Sequence, residues 1–321
     1  MASEHRILLI GGSSQVGREL ALVPWPQGFA LLAPTRAEAD ITDRDAVAAL
    51  IAGGDWTAVI NAAAWTAVDA AEDAETEAFA INALGPAILA EETGRRGIPL
   101  IHVSTDYVFD GTKPGPYVED DPAHPLGVYG ASKLAGEAAV RAGNPRHIIV
   151  RTSWLFSRFG RNFVKTMLRL AGERDRVRVV DDQLGTPTAA SDLAAALAAI
   201  AATPDLGERA GVYHFANRGE ATWCGVARRV FALSKARGGP SVIVEASATA
   251  DYPTAARRPA NSRLSTERNR ARVRHRAAAL GGGAGRRDRL PRARAGAPPA
   301  HVSRSAGGGS RAIRSSTPWR M

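Results

Sequence analysis

The feature that most constrains this chain is an alternation: from residue 6 to about 217, short apolar runs are interleaved with longer amphipathic ones. RILLIG, FALLAP, AVINAA, LIHVST and HIIVRTS are apolar or β-branched throughout, the pattern of strands covered on both faces. Between them, SQVGRELALV, DRDAVAALIAG, AETEAFAINALGPAILAEETGRR and YGASKLAGEAAVRA have polar starts and Gly or Arg near their ends, which predicts helices. Strand and helix in repeated alternation predict an α/β fold, a doubly wound parallel sheet of Rossmann type with helices on both faces. After residue 153 the order becomes irregular. RNFVKTMLRLA, SDLAAALAAIAAT and TWCGVARRVFALSKA read as helices, VRVVDD, GVYHFA and SVIVEA as strands, and DYPTAARRPANSRL (251–264) as a loop. The expected organisation is a dinucleotide-binding domain over 1–153, with returning segments around 189–217, and a smaller mixed α/β substrate domain mainly over 154–267.

A net charge of +9 would ordinarily suggest nucleic acid or an anionic surface, but its distribution removes that inference. Residues 268–321 hold 14 Arg, no Lys and one acid, Asp288, whereas the other 267 residues hold 27 basic and 31 acidic side chains. The tail shows no periodicity, and Trp319 is its only aromatic residue, so it is expected to be a disordered Arg/Gly/Ala/Pro-rich segment without a nucleic-acid role. The longest apolar run, LAAALAAIAA, falls short of the roughly 20 residues a membrane span needs. MASEHRILLI lacks the apolar core and cleavage site of a signal peptide, and a single cysteine, Cys224, excludes an intrachain disulfide. A cytoplasmic protein with no membrane partner is the expectation.

GGSSQVG (11–17) follows the first strand and opens the first helix, where backbone N–H groups and the helix dipole can hold a pyrophosphate. Gly11 suits the tight turn and Gly17 the close helix–sheet packing, with Ser14 in place of a middle glycine. Past the second strand, Arg36 stands where an acid would read the ribose of NAD; it suits a 2′-phosphate and favours NADPH, with NADH as the alternative. Asp40 and Ile41 follow closely and could flank the adenine.

VSTDYVFDG (103–111) places Thr105 and Asp106 at the carboxyl edge of the sheet, the side on which such folds bind ligands. In VYGASKLAGE, Tyr129 and Lys133 are four apart and share one helical face. A neighbouring ammonium should lower the pKa of the phenol and make Tyr129 a usable proton donor to a carbonyl. Lys133 could also hold a nicotinamide ribose, and Thr105 could orient a substrate oxygen. His102 and His214, inside strand-like runs, read as structural, and Cys224 as core.

GGSSQVG, NAAAWTAVD, STDYVFDG, VYGASKLAGE, VRTSWLF, DDQLGTPT and RRPANSRL, in this order, resemble the dTDP-4-dehydrorhamnose reductases of the extended short-chain dehydrogenase/reductase family, over residues 6–267. The resemblance implies NADPH-dependent reduction of the 4-keto group of a dTDP-keto-sugar, dTDP-6-deoxy-L-lyxo-4-hexulose, to dTDP-L-rhamnose. It implies Thr105, Tyr129 and Lys133 as catalytic residues. For the cofactor it implies Gly11, Ser13, Ser14, Gln15, Val16, Gly17, Arg36, Asp40, Ile41, Ala62, Ala63 and Ala64, with Tyr129 and Lys133. For the substrate it implies Thr105, Asp106, Phe109, Trp154, Asn162 and Arg263. A homodimer is the assembly it suggests. No metal is carried over: the residue before Asp192 is Ser191, and the family's closing segment is replaced by the arginine-rich tail, which suggests a frameshift near residue 268. The competing reading is a non-catalytic NADP-binding regulatory subunit of the methionine adenosyltransferase type, which predicts loss of the Thr–Tyr–Lys set.

Overall fold

The computed structural model describes residues 5–268. The chain runs β1 (His5–Ile10), α1 (Gln15–Leu20), β2 (Phe29–Leu32), α2 (Arg44–Ala52), β3 (Ala58–Asn61), α3 (Val68–Glu72), α4 (Glu75–Phe79), α5 (Gly85–Arg95), β4 (Leu100–Thr105), α6 (Val128–Gly143) and β5 (His147–Thr152). It continues through β6 (Leu155–Phe156), α7 (Phe163–Leu170), β7 (Arg176–Val180), β8 (Leu184–Gly185), β9 (Thr188–Ala189), α8 (Ala190–Ala201), β10 (Gly211–His214), β11 (Ala221–Thr222), α9 (Trp223–Lys235) and β12 (Ile243–Ser247). The readings of the tail as disordered and as frameshifted concern residues that lie outside the described ones.

The main sheet has the order β10-β5-β4-β3-β1-β2 and all its pairings are parallel. Its inner strands alternate between two buried faces. Ile7 and Leu9 of β1 point with Ile60, Ile101 and Val150 toward α1 and α8, while Leu8 and Ile10 join Val59, Leu100 and Ile149 under α2, α5 and α6. Two apolar faces account for the unbroken hydrophobic runs in the sequence. β2 differs: as the edge strand it alternates between partly covered and exposed residues, so FALLAP is covered less than its composition predicts.

The order turns back beside β1, since β2 lies on one side of it and β3 on the other. This topological switch point opens a crevice at the carboxyl ends of β1 and β3. The long helix expected over 74–96 is α4 and α5 joined by a π-helical turn, Ala80–Leu84. Pro86, in the first turn of α5, has no N–H to give the carbonyl four residues back, that of Asn82. That carbonyl faces Gly136 of α6, where a Cβ would lie 2.0 Å from it. Helix α6 therefore seats tightly on the widened turn.

Outside the main sheet, β7 and β12 pair in parallel, and Val177 and Val179 of β7 form a small core with Met167 of α7 and Cys224, Ala227 and Phe231 of α9. SVIVEA is thus the strand β12, beginning two residues later than the sequence pattern suggests. Among the described residues, no helix is long and apolar enough to cross a membrane.

Candidate active site

The turn after β1 is built for close approach. Gly11 has φ +86°, and a Cβ there would lie 2.4 Å from the Ala63 nitrogen; at Gly17 a Cβ would meet the Gly11 carbonyl at 2.3 Å. Ser14 caps α1 by accepting the Gly17 N–H at 3.0 Å, which leaves its O–H free to donate outward. Asn61 ends β3 and its Oδ1 accepts the Ala63 N–H at 3.0 Å, so Ala62, Ala63 and Ala64 form a second turn facing the first. These small residues and free helix-end amides suit a pyrophosphate bridged to two nucleosides.

Arg36 is largely exposed and its Nε pairs with Asp40 at 3.3 Å. Asp40 is otherwise occupied by the N–H and hydroxyl of Thr42, at 2.9 and 2.7 Å. Ile41 is placed differently from the expectation that it flanks an adenine: its side chain is buried in the core against Gly85. On the sheet's far side, Gln15 accepts from Asn162 Nδ2 at 3.0 Å, and Glu19 receives the Ser157 hydroxyl at 2.7 Å and the Arg158 guanidinium. The segment 157–162 is thereby clasped to the helix that carries the glycine turn.

Thr105 closes β4. Its hydroxyl donates to Asp106 Oδ1 at 3.1 Å and accepts the Tyr107 N–H at 3.2 Å. Gly130, between Tyr129 and Lys133, lets α6 press on the turn after β4, where a Cβ would lie 2.2 Å from the Tyr107 carbonyl. That close approach explains the small residues of YGASK. Tyr107 and Tyr129 meet edge to face with centroids 5.4 Å apart.

The electrostatics depart from expectation. Burial pushes the Tyr129 phenol up to about 12; the Thr105 hydroxyl works against this and the Asp106 carboxylate adds to it. Lys133 is buried at 1 % exposure and brought down to about 8 by desolvation, with Glu137 pulling the other way. Its Nζ donates to the Val103 carbonyl at 2.8 Å and lies 3.4 Å from His102 Nε2. The expected depression of Tyr129 by Lys133 is therefore overridden: loss of solvent dominates, and the amine is engaged with β4. Asp106 is likewise raised to about 6 by burial, although Ser262 and Thr105 stabilise its charge. Among the described residues its Oδ2 has no well-formed hydrogen bond, while Ser262 lies close enough to the carboxyl to favour its charged form.

The other substrate candidates are scattered in character. Trp154 holds a left-handed backbone, φ 47°, and its ring stacks on Trp223 at 3.6 Å and covers Gly185. Such backbone strain in a bulky residue costs on the order of 1–3 kcal/mol and tends to persist at functional sites. Arg263 donates to Glu220 at 2.8 Å and to the Pro114 carbonyl at 2.6 Å, on the wall of a cavity of about 530 Å³ that also involves Thr186, Asn217 and Arg218. Asn162 caps α7 and has both ends of its amide engaged. Phe109 is corrected: it is 1 % exposed and stacked on Tyr117 at 4.1 Å, a core residue with no surface to offer a substrate.

Sequence reasoning missed the tie between Arg258 and Asp69, a bidentate pair at 2.7 and 3.0 Å that fastens the 251–264 loop beside α3. The opposite charges of RRPANSRL and NAAAWTAVD were the available signal. It also missed Ser262, which reaches Asp106. Among the described residues no group of three or more His, Cys, Asp or Glu is arranged to hold a metal ion.

The family described as "RmlD substrate binding domain" matches residues 5–279. A dTDP-4-dehydrorhamnose reductase of Sinorhizobium fredii is 44% identical over 262 residues, covering 81% of this chain and 88% of that protein. The Escherichia coli dTDP-4-dehydrorhamnose reductase is 41% identical over 268 residues, covering 82% and 90%. Among solved structures, a Bacillus anthracis dTDP-4-dehydrorhamnose reductase in complex with NADP superposes with a TM-score of 0.79 at 34% identity, covering 85% of this chain and 93% of that one. The chain belongs to the dTDP-4-dehydrorhamnose reductase family.

Proposed function

We propose that the chain uses NADPH to reduce the C4 ketone of dTDP-6-deoxy-L-lyxo-4-hexulose to the alcohol of dTDP-L-rhamnose, with Thr105, Tyr129 and Lys133 as its catalytic residues. The observation that carries this reading is the meeting of Thr105, Asp106, Tyr129 and Lys133 at the carboxyl edge of the sheet, on the side where the glycine and alanine turns open. Gly11, Ser13, Ser14, Gln15, Val16, Gly17 and Ala62–Ala64 would hold the dinucleotide, with Arg36 and Asp40 at its ribose end. When bound, the reduced nicotinamide supplies the hydride.

The protein supplies the proton. Held near 12, the Tyr129 phenol is protonated at neutral pH and can give its proton to the ketone oxygen as hydride reaches the carbon. The Thr105 hydroxyl, whose proton points to Asp106 Oδ1 in this structure, would turn it to that oxygen and fix it. The phenolate left behind is costly in its half-buried setting; Lys133, on the same helical face, would hold the nicotinamide ribose and, as the ammonium, would stabilise the phenolate on turning from the Val103 carbonyl. Asp106 Oδ2 is an acceptor for a sugar hydroxyl, and Trp154 and Arg263 serve the sugar nucleotide, Arg263 through its guanidinium on the diphosphate. The regulatory-subunit reading is disfavoured because the Thr–Tyr–Lys set is intact. The test is NADPH oxidation by the purified protein on the dTDP-keto-sugar made by an epimerase, with the product identified as dTDP-L-rhamnose. A folded, NADPH-binding protein that oxidises no NADPH with this sugar would remove the assignment.

A further inference from the structure

His102 is fully buried in the middle of the main sheet, and the chemistry above does not use it. Its two ring nitrogens are nonetheless both addressed. Asn61 Nδ2 lies 3.1 Å from Nδ1, and the orientation of that amide is fixed because its oxygen already accepts the Ala63 N–H. An amide N–H facing Nδ1 requires a lone pair there. Burial, reinforced by the Lys133 charge, holds the imidazole well below its ordinary value, so the ring is neutral and its single proton sits on Nε2. Nε2 faces Lys133 Nζ at 3.4 Å, while Nζ donates to the Val103 carbonyl at 2.8 Å. An ammonium has three donors and no acceptor, so Nε2–H meets it N–H against N–H; only the neutral amine offers a lone pair. The Val103 carbonyl accepts from either form.

We propose that His102 is a positioning residue for Lys133: oriented by Asn61, its Nε2–H fixes the lysine nitrogen against the Val103 carbonyl and disfavours the ammonium form. The same chain of contacts joins the Ala62–Ala64 turn to the catalytic lysine. The charged and titratable groups around Lys133 are His102 from β4, Tyr129 one turn earlier on α6, and Glu137 one turn later. Glu137 favours the ammonium, and is itself held by Arg151 of β5 at 2.7 Å and Ser104 of β4 at 2.7 Å. His102 thus opposes Glu137.

The proposal rests on the reading that the Lys133 ammonium holds the nicotinamide ribose, and two variants test it through the pH dependence of NADPH binding, followed by fluorescence titration, beside that of kcat/KM. In the unmodified protein both should weaken as pH rises through about 8, where Lys133 loses its proton. His102→Gln replaces the opposing N–H with an amide oxygen that can accept from the ammonium. Asn61→Asp puts a carboxylate at Nδ1, draws the ring proton there and turns Nε2 into an acceptor. Both should move the weakening to higher pH by about one unit, a tenfold change in proton affinity. Mere damage to the core would lower affinity or melting temperature without moving this limb. Limbs that stay in place in folded, NADPH-binding variants would overturn the proposal, and either variant alone suffices if the other does not fold. Limbs that shift in binding, in a protein that leaves the keto-sugar unreduced, would sink the functional reading and support this one.

Discussion

The carboxyl edge of the main sheet and the outer region built on β7, β12, α7 and α9 handle charge in opposite ways. At the sheet edge and just beneath it, Asp106, Tyr129, Lys133 and His102 are all displaced from their ordinary ionisation, and in each case burial is the leading cause. In the outer region, Arg176–Glu245 and Arg169–Glu173 are exposed pairs screened by water. The difference teaches where chemistry can reside. A desolvated group holds free energy that a reaction can draw on, whereas a solvated pair only trims the surface.

The largest effect should come from removing the proposed proton donor. Tyr129→Phe is expected to lower turnover by roughly 10²- to 10⁴-fold while NADPH affinity stays within error, because the phosphate-binding turn is untouched. Turnover within twofold of the parent would show that the proton comes from elsewhere.

The next effect sharpens the contrast directly by making one substitution in both regions. Arg151, 4 % exposed, holds Glu137 in a bidentate pair at 2.8 and 2.7 Å. Against the penalty of burial, Arg151 keeps the Glu137 carboxyl below its ordinary value. Arg151→Met removes the bidentate partner of that buried charge and leaves it only the Ser104 hydroxyl and the Arg141 guanidinium at 3.3 Å, which should cost about 3–5 kcal/mol in denaturant unfolding. Arg176→Met, losing an exposed pair to Glu245, should cost about 0.2–1 kcal/mol. Similar losses at the two sites would mean that burial does not separate the regions.

Much of the sheet edge was legible because its signals are local. Strands covered on both faces read as unbroken apolar runs, and Tyr129 and Lys133 share a face by helical periodicity. What Lys133 touches was not legible, since His102 and Val103 reach it from β4, with Asn61 of β3 behind His102, and such neighbours leave no spacing in the sequence. The same limit explains Phe109 and Ile41: each sits in a motif associated with ligands, yet an apolar side chain goes wherever the core can take it. The π-helical turn needed Pro86 to be set against the packing of Gly136, on the next helix and fifty residues on. Trp154's left-handed backbone has no local signature at all.

Arg36 supplies a test at the exposed rim of the cofactor crevice. A charge-assisted contact to a 2′-phosphate is worth about 1.5–3 kcal/mol, so Arg36→Ala should weaken NADPH binding by roughly 10- to 100-fold and leave NADH unchanged. Equal losses for both cofactors would mean that Arg36 supports the turn through Asp40 rather than reading the phosphate.

The smallest effect should be a gain. Asp106, raised to about 6 by burial, binds its proton more tightly in the folded protein than in the unfolded chain, whose ordinary value is 3.8. Its contribution to stability is therefore most favourable below that ordinary value and is lost as pH rises through about 6, leaving a penalty at neutral pH. Full relief would amount to roughly 3 kcal/mol. Asp106→Asn removes the charge but introduces amide protons beside an oxygen position that lacks a partner among the described residues, so a net gain of about 1–2 kcal/mol is expected at pH 7. The gain should shrink as pH falls below 6 and be absent by about pH 4, and KM for the keto-sugar should rise because the proposed acceptor for its hydroxyl is weakened. In the outer region, Asn162→Ala should instead lose about 1 kcal/mol of helix capping together with the Gln15 and Ser157 contacts, equally at pH 4 and pH 7. Denaturant unfolding of both variants at the two pH values decides the point: a stabilisation of Asp106→Asn that persists unchanged at pH 4 cannot come from the buried carboxylate, and the opposition between the two regions would then have to be sought in packing.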